Sequence, residues 1–249
     1  MNFNKLWPKP AKADTAEVHS APGILDVVWL SLKLSFTRIQ RWLPVNLLFL
    51  LYSLPILTGP TAKTAMFSTV AQLLRDPGDS RTEINESMKT AFKLHKARPF
   101  LVVVIKWVVF LLIVLSIWFW VNRESLAMRL VTILPIYALV LWASTISFIY
   151  PIMVQNPQMT ALQVSRNAFL LAFTHPFSSL LIALVGIILT ALGLIMLGPI
   201  LLIIPVMRAI LMTHAYWFLT GEPIAGFIET STYIQMMHSE DNSEVHDEL

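Results

Sequence analysis

Long apolar blocks with no polar face dominate this chain, and four of them are long enough to predict membrane-spanning helices. Residues 99–121, 130–154, 177–197 and 199–219 each supply the ~20 apolar residues that a helix rising ~1.5 Å per residue needs to cross a bilayer. A fifth apolar region between Trp42 and Leu74 is broken by Pro55 and by Gly59-Pro60, and it divides into 42–57 and 61–74. Glycine lets the backbone reverse and proline removes a helical donor, so Thr58, Gly59 and Pro60 are expected to form a tight hairpin turn, with Gly59 in a left-handed conformation. Six spans result, with four or five as alternatives. Ahead of them, residues 24–41 keep Asp26, Lys33, Thr37 and Gln40 on one stripe among Trp29, Leu32, Phe36 and Ile39, the pattern of an interfacial or half-inserted helix.

The expected fold class is therefore all-α: a polytopic transmembrane bundle with cytoplasmic amphipathic helices and repeated helical hairpins. Residues 1–22 are polar, basic and broken by proline, which predicts disorder and no signal peptide. Residues 23–222 form the transmembrane domain, 223–237 an amphipathic helix, and 238–249 an acidic disordered tail. The repeat is seen when Lys89 to Phe100 is laid without gaps on Arg166 to Phe177, matching Ala, Phe, Leu, Pro and Phe at an offset of 77 residues. Each copy opens on a capping box, Ser80 with Glu83 and Thr160 with Gln163, and enters a span at Pro99 or Pro176. A second pair aligns Pro60-Thr-Ala-Lys63 with Pro205-Val-Met-Arg208, each carrying a cation three residues after proline.

Composition agrees with the pattern. Hydrophobic residues make up 56% of the 249 and charged residues only 13%, against about 25% charged in an ordinary soluble domain. The charges are also segregated: six Lys and Arg precede residue 42, six lie from Arg75 to Arg98, and Arg166 makes thirteen, against Arg123 and Arg129 opposite. Positive residues stay inside, so both termini are expected in the cytoplasm of a bacterial cell membrane.

Soluble chemistry is poorly represented. There is no cysteine, which removes disulfides, thiolate nucleophiles and thiolate metal sites, and the six histidines show no metal-ligand spacing. Gly59 to Thr64 lacks the glycines that a phosphate loop would need at Leu57 and Ala62. Neither an enzyme, a cofactor, a metal nor nucleic acid is expected. The closing His246-Asp247-Glu248-Leu249 matches a retention signal of the endoplasmic reticulum, but such a signal works only in the lumen, and this tail is expected in the cytoplasm.

Three residues inside the predicted spans stand out, because a charge at the bilayer centre costs ~3 kcal/mol. They are Lys106, Arg208 and His214, and no Asp or Glu within the spans can compensate them. They are the candidate solute-binding residues. The plainer reading has Lys106 and Arg208 snorkelling to an interface, as Lys63 would do near the Gly59 turn.

The stretch Asn46-Leu-Leu-Phe-Leu-Leu-Tyr-Ser-Leu-Pro55, with Thr58-Gly59-Pro60, Ala62, Ala65, Leu74-Arg75, Ala91-Phe92-Lys93 and Asn167-Ala168-Phe169 followed by His175-Pro176, resembles the YesL family of bacterial membrane proteins. The resemblance covers roughly Arg38 to Leu219, and it departs from the family pattern at Lys63 and in the spacing before Gly59. It implies a non-enzymatic accessory or scaffold of carbohydrate uptake, with the lipid bilayer, a carbohydrate transporter complex and further copies of itself as partners. The alternative is a small permease for an anionic solute, with the intramembrane cations lining its path.

Overall fold

The computed structural model describes residues 23–55, 58–75, 81–94, 98–195 and 203–224. The expected disordered start, the amphipathic helix at 223–237, the acidic tail and the Ser80 cap lie wholly or mostly outside them. Every regular element among the described residues is an α-helix, so the all-α class holds. The helices are α1 (Ile24–Thr37), α2 (Ile39–Ser53), α3 (Gly59–Arg75), α4 (Arg81–Leu94), α5 (Arg98–Val121), α6 (Leu126–Leu130), α7 (Ile133–Gln155), α8 (Ala161–Thr174), α9 (Pro176–Ile195) and α10 (Ile204–Thr220).

Three stretches are long and apolar enough to cross a membrane: Arg98–Val121, Ala127–Gln155, which joins α6 to α7, and Pro176–Ile195. The sequence also predicted a span over 199–219, but the described helix there starts only at Ile204, and 199–202 lie outside the described residues. The outer face of α5 is almost wholly exposed, with Trp107, Leu111, Leu112, Leu115 and Trp118 pointing away from the protein. Such a face is stable only against another apolar medium, which a bilayer supplies.

The interior belongs instead to α3 and α10, whose side chains are mostly buried. Their small residues allow this: Ala62, Ala65 and Ala71 on α3 and Ala209 and Ala215 on α10 let neighbouring backbones approach closely. The two helices run parallel to each other and to α7. Arg75 at the foot of α3 donates to Gln155 at the foot of α7 (2.8 Å) and pairs with Glu222 just beyond α10 (3.0 Å). Higher up, Phe67 of α3 stacks on Tyr150 of α7 with ring centroids 5.3 Å apart. Antiparallel to them, α5 is tied at its start by Arg98, which donates to the carbonyls of Asn156 and Pro157 (2.8 Å each), and it meets α7 again at the Phe110–Trp142 stack.

The turn between α2 and α3 differs from expectation in its mechanism. Gly59 is the first residue of α3, it is not left-handed, and nothing lies within 4 Å of where its Cβ would stand. Thr58 fastens the turn, its hydroxyl lying 2.6 Å from the Tyr52 carbonyl and 2.7 Å from that of Pro55. Pro60 occupies the second position of α3, where its missing N–H has no helical partner to lose. Among the described glycines the left-handed one is Gly221, which caps α10 at φ 73°.

The second capping box forms as expected: the Thr160 N–H donates to Gln163 Oε1 (2.8 Å) and the Gln163 N–H to Thr160 Oγ1 (3.3 Å). On α1, Asp26, Lys33 and Thr37 stay exposed, but so do Trp29 and Phe36. Its buried stripe is Val27, Val28, Ser31 and Ser35, which packs along α10.

Candidate functional site

Lys63 and Arg208 each sit in the first turns of a helix whose second residue is proline, and the parallel packing of α3 and α10 carries both to the wall of one cavity of about 360 Å³. Phe49 and Leu50 of α2 and Thr190, Gly193 and Leu194 of α9 complete much of that wall. Lys63 lies roughly 18 Å from the end of α3 at Arg75, and Arg208 roughly 18 Å from the end of α10 at Thr220, since each is twelve residues away. Lys106, eight residues into α5 from Arg98, lies roughly 12 Å from the same end.

Each cation has a specific setting. Arg208 Nη1 donates to Thr190 Oγ1 at 2.8 Å, and the Thr190 hydroxyl in turn donates to the Gly186 carbonyl at 2.7 Å, which leaves a lone pair for the guanidinium. The guanidinium packs over Gly186 of α9, where a Cβ would meet its Nε and Nη2 at an ordinary contact distance of 3.7 Å. Of its five N–H groups only the one on Thr190 has a hydrogen-bond partner among the described residues. The Lys63 ammonium stands 4.5 Å over the Tyr150 ring, and Lys106 stands 5.9 Å from the Trp107 ring at its own backbone neighbour. The three cations are near enough for their like charges to repel, and none forms an ion pair with a described residue. Because α3 and α10 both start at the cavity end, the positive poles of two helices add to the same potential.

The structure divides the residues singled out from sequence. Arg208 lines the cavity, Lys106 is not on its wall although it lies within electrostatic range of Arg208 and Lys63, and His214 turns away towards α1. Its Nδ1 is 2.9 Å from Ser31 Oγ. The Ser31 hydroxyl gives its single proton to the Val27 carbonyl at 2.7 Å, so the histidine N–H is the donor to Ser31. His214 is thus a buried clamp between α1 and α10, with Trp217 against it at 5.9 Å. The hairpin residues behave as described above, with Thr58 doing the fastening.

Sequence reasoning missed Lys63, which it placed at an interface, along with Thr190 and Tyr150. A usable signal existed in the matched Pro60-x-x-Lys63 and Pro205-x-x-Arg208 segments. Equal spacing after proline gives equal depth in two helices, and equal depth is what allows two cations to converge. Other polar residues of the predicted spans have separate fates. Gln72 accepts from Ser87 on α4 (2.6 Å), whereas the buried Asn46 amide and Thr213 hydroxyl have no hydrogen-bond partner among the described residues.

Comparison of the chain with protein-family models, with curated proteins and with solved structures finds no match in any of the three. The class defined by fold and site is an all-helical protein with three membrane-capable helices and a largely apolar cavity that two cations line.

Proposed function

We propose that this chain is an integral protein of a bacterial cell membrane that takes an anion into its bundle at mid-depth and moves it as a small permease does. The convergence of Lys63 and Arg208 on one cavity, with Lys106 within electrostatic range, carries this reading, because α2, α3, α5, α7, α9 and α10 contain no Asp or Glu to neutralise them. Uncompensated, each charge costs ~3 kcal/mol at the bilayer centre, so the site favours a negative ligand. A six-span topology with both termini in the cytoplasm is part of the proposal, supported by thirteen basic residues against two. At 15 to 17 residues, α2, α3 and α10 reach only ~22 to 26 Å. Burial shelters α3 and α10 from lipid, so their shortness is compatible with a place inside the bundle.

Thermal unfolding of the purified protein with inorganic phosphate, a sugar phosphate or an alkyl phosphate tests the anion site. At least one is expected to raise the midpoint, and Lys63→Met or Arg208→Met should abolish the rise while helical circular dichroism is kept. No shift with any of them, or a shift that survives both variants, overturns the site. Uptake of the stabilising anion into liposomes then tests transport.

A second reading, the accessory or scaffold role in carbohydrate uptake, draws on the YesL resemblance and on α8. That helix keeps Leu162, Phe169 and Phe173 exposed along one side, an apolar stripe for a bilayer surface or a transporter subunit. Co-purification of a sugar importer that is lost in Phe169→Ser/Phe173→Ser is its expected signature.

A further inference from the structure

We infer that the anion held by Lys63 and Arg208 is the head of an amphiphile, an acidic group on a long alkyl chain that enters sideways from the bilayer. The inference rests on the anion site proposed above and names its ligand class. Polar contacts in the cavity come from Lys63, Arg208 and Thr190, while the remaining wall is apolar, with Phe49, Met66, Phe67 and Met212 facing the space. A hydroxylated solute would have to bury its polar groups against those side chains at ~2 kcal/mol or more for each group left unpaired, whereas an alkyl chain arriving from the bilayer exchanges one apolar surrounding for another and pays no such cost. The route in is also visible. Leu194, on the cavity wall, is 71% exposed on the outer side of α9, and Thr190 beside it is exposed, so the cavity opens on the surface that faces acyl chains. A volume of about 360 Å³ is some twelve times the ~30 Å³ share of one water, enough for a head group and the first part of a chain whose remainder lies along α9.

Binding of radiolabelled dodecyl phosphate to the full chain in phosphatidylcholine nanodiscs, with protein-free nanodiscs subtracted, tests this. Saturable binding is expected, weakened about tenfold or more by Arg208→Met and by Lys63→Met. Leu50→Trp, which narrows the apolar part of the cavity wall, should also weaken dodecyl phosphate about tenfold or more. Unlabelled inorganic phosphate or dodecanol should displace the label at least about tenfold less well than dodecyl phosphate. Inorganic phosphate competing as well as dodecyl phosphate overturns the amphiphile and leaves the anion site standing. Label that binds equally to wild type and both methionine variants overturns the amphiphile together with the anion site. Doping the nanodiscs with phosphatidic acid separates two sources of the same chemistry: lost label identifies a bilayer lipid, retained label a free amphiphile.

Discussion

Lys63 and Arg208 hold the same place in two parallel helices, each the fifth residue of a seventeen-residue helix and each three residues after a proline, and both reach one cavity. The 145-residue offset between them is that of the Pro60 and Pro205 segments aligned in the sequence. Arg75 and Glu222, paired at the feet of these helices, keep nearly the same offset.

Without an anion, Lys63→Met is expected to stabilise the protein. A charge in hydrocarbon costs ~3 kcal/mol, and the contact with the Tyr150 ring returns ~1 to 2 kcal/mol. The net gain of order 1 kcal/mol is readable by denaturant unfolding in detergent. A clearly destabilised variant would mean that the ammonium has a partner already and no need of an anion.

Ser31 and His214 are 183 residues apart in sequence and hydrogen-bonded in space. Ser31→Ala should cost about 1 to 3 kcal/mol, because it leaves the buried histidine N–H without an acceptor. In a double-mutant cycle with His214→Phe the two losses are expected to fall short of additivity by about 1 kcal/mol. Additive losses would show that the two residues act separately and that α1 is held by its apolar contacts alone.

Two glycines should respond oppositely. Gly59→Ala is expected to change stability by no more than about 1 kcal/mol, since the position is helical and open. Gly221→Val should destabilise by about 1 to 3 kcal/mol, because a β-branched residue is strained at φ 73°. Thr58→Val, which removes the hydroxyl from the turn, should cost about 1 kcal/mol more than Gly59→Ala. Equal melting temperatures for the two glycine variants would contradict the assignment of the left-handed position.

The charge asymmetry predicts that reporters fused after Leu249 and within 76–97 report the cytoplasm, and that one beside Arg123 reports the opposite side. An external C-terminus would defeat that orientation.

What the sequence by itself determined is whatever one segment and its solvent settle between them. The blocks that became α5, α7 and α9 were legible because a bilayer demands ~20 apolar residues in succession, whatever the rest of the chain does. The Thr160–Gln163 box was legible because its donors and acceptors lie three residues apart. The helical pattern of α10 placed Arg208 and His214 in an apolar stretch but not against their neighbours. Six residues at ~100° each turn their side chains well away from one another, so no single cavity had to receive both. Which face met the cavity and which met Ser31 was decided by α3 and α1, far away in sequence. Lys63 shows the same limit: four residues from a predicted turn it read as an edge residue, and only the packing of α3 among α2, α7 and α10 made it an interior one. A span's length is set by its solvent, which the sequence reveals; the partner of a buried charge is set by helices that pack from far along the chain, which the tertiary structure alone reveals.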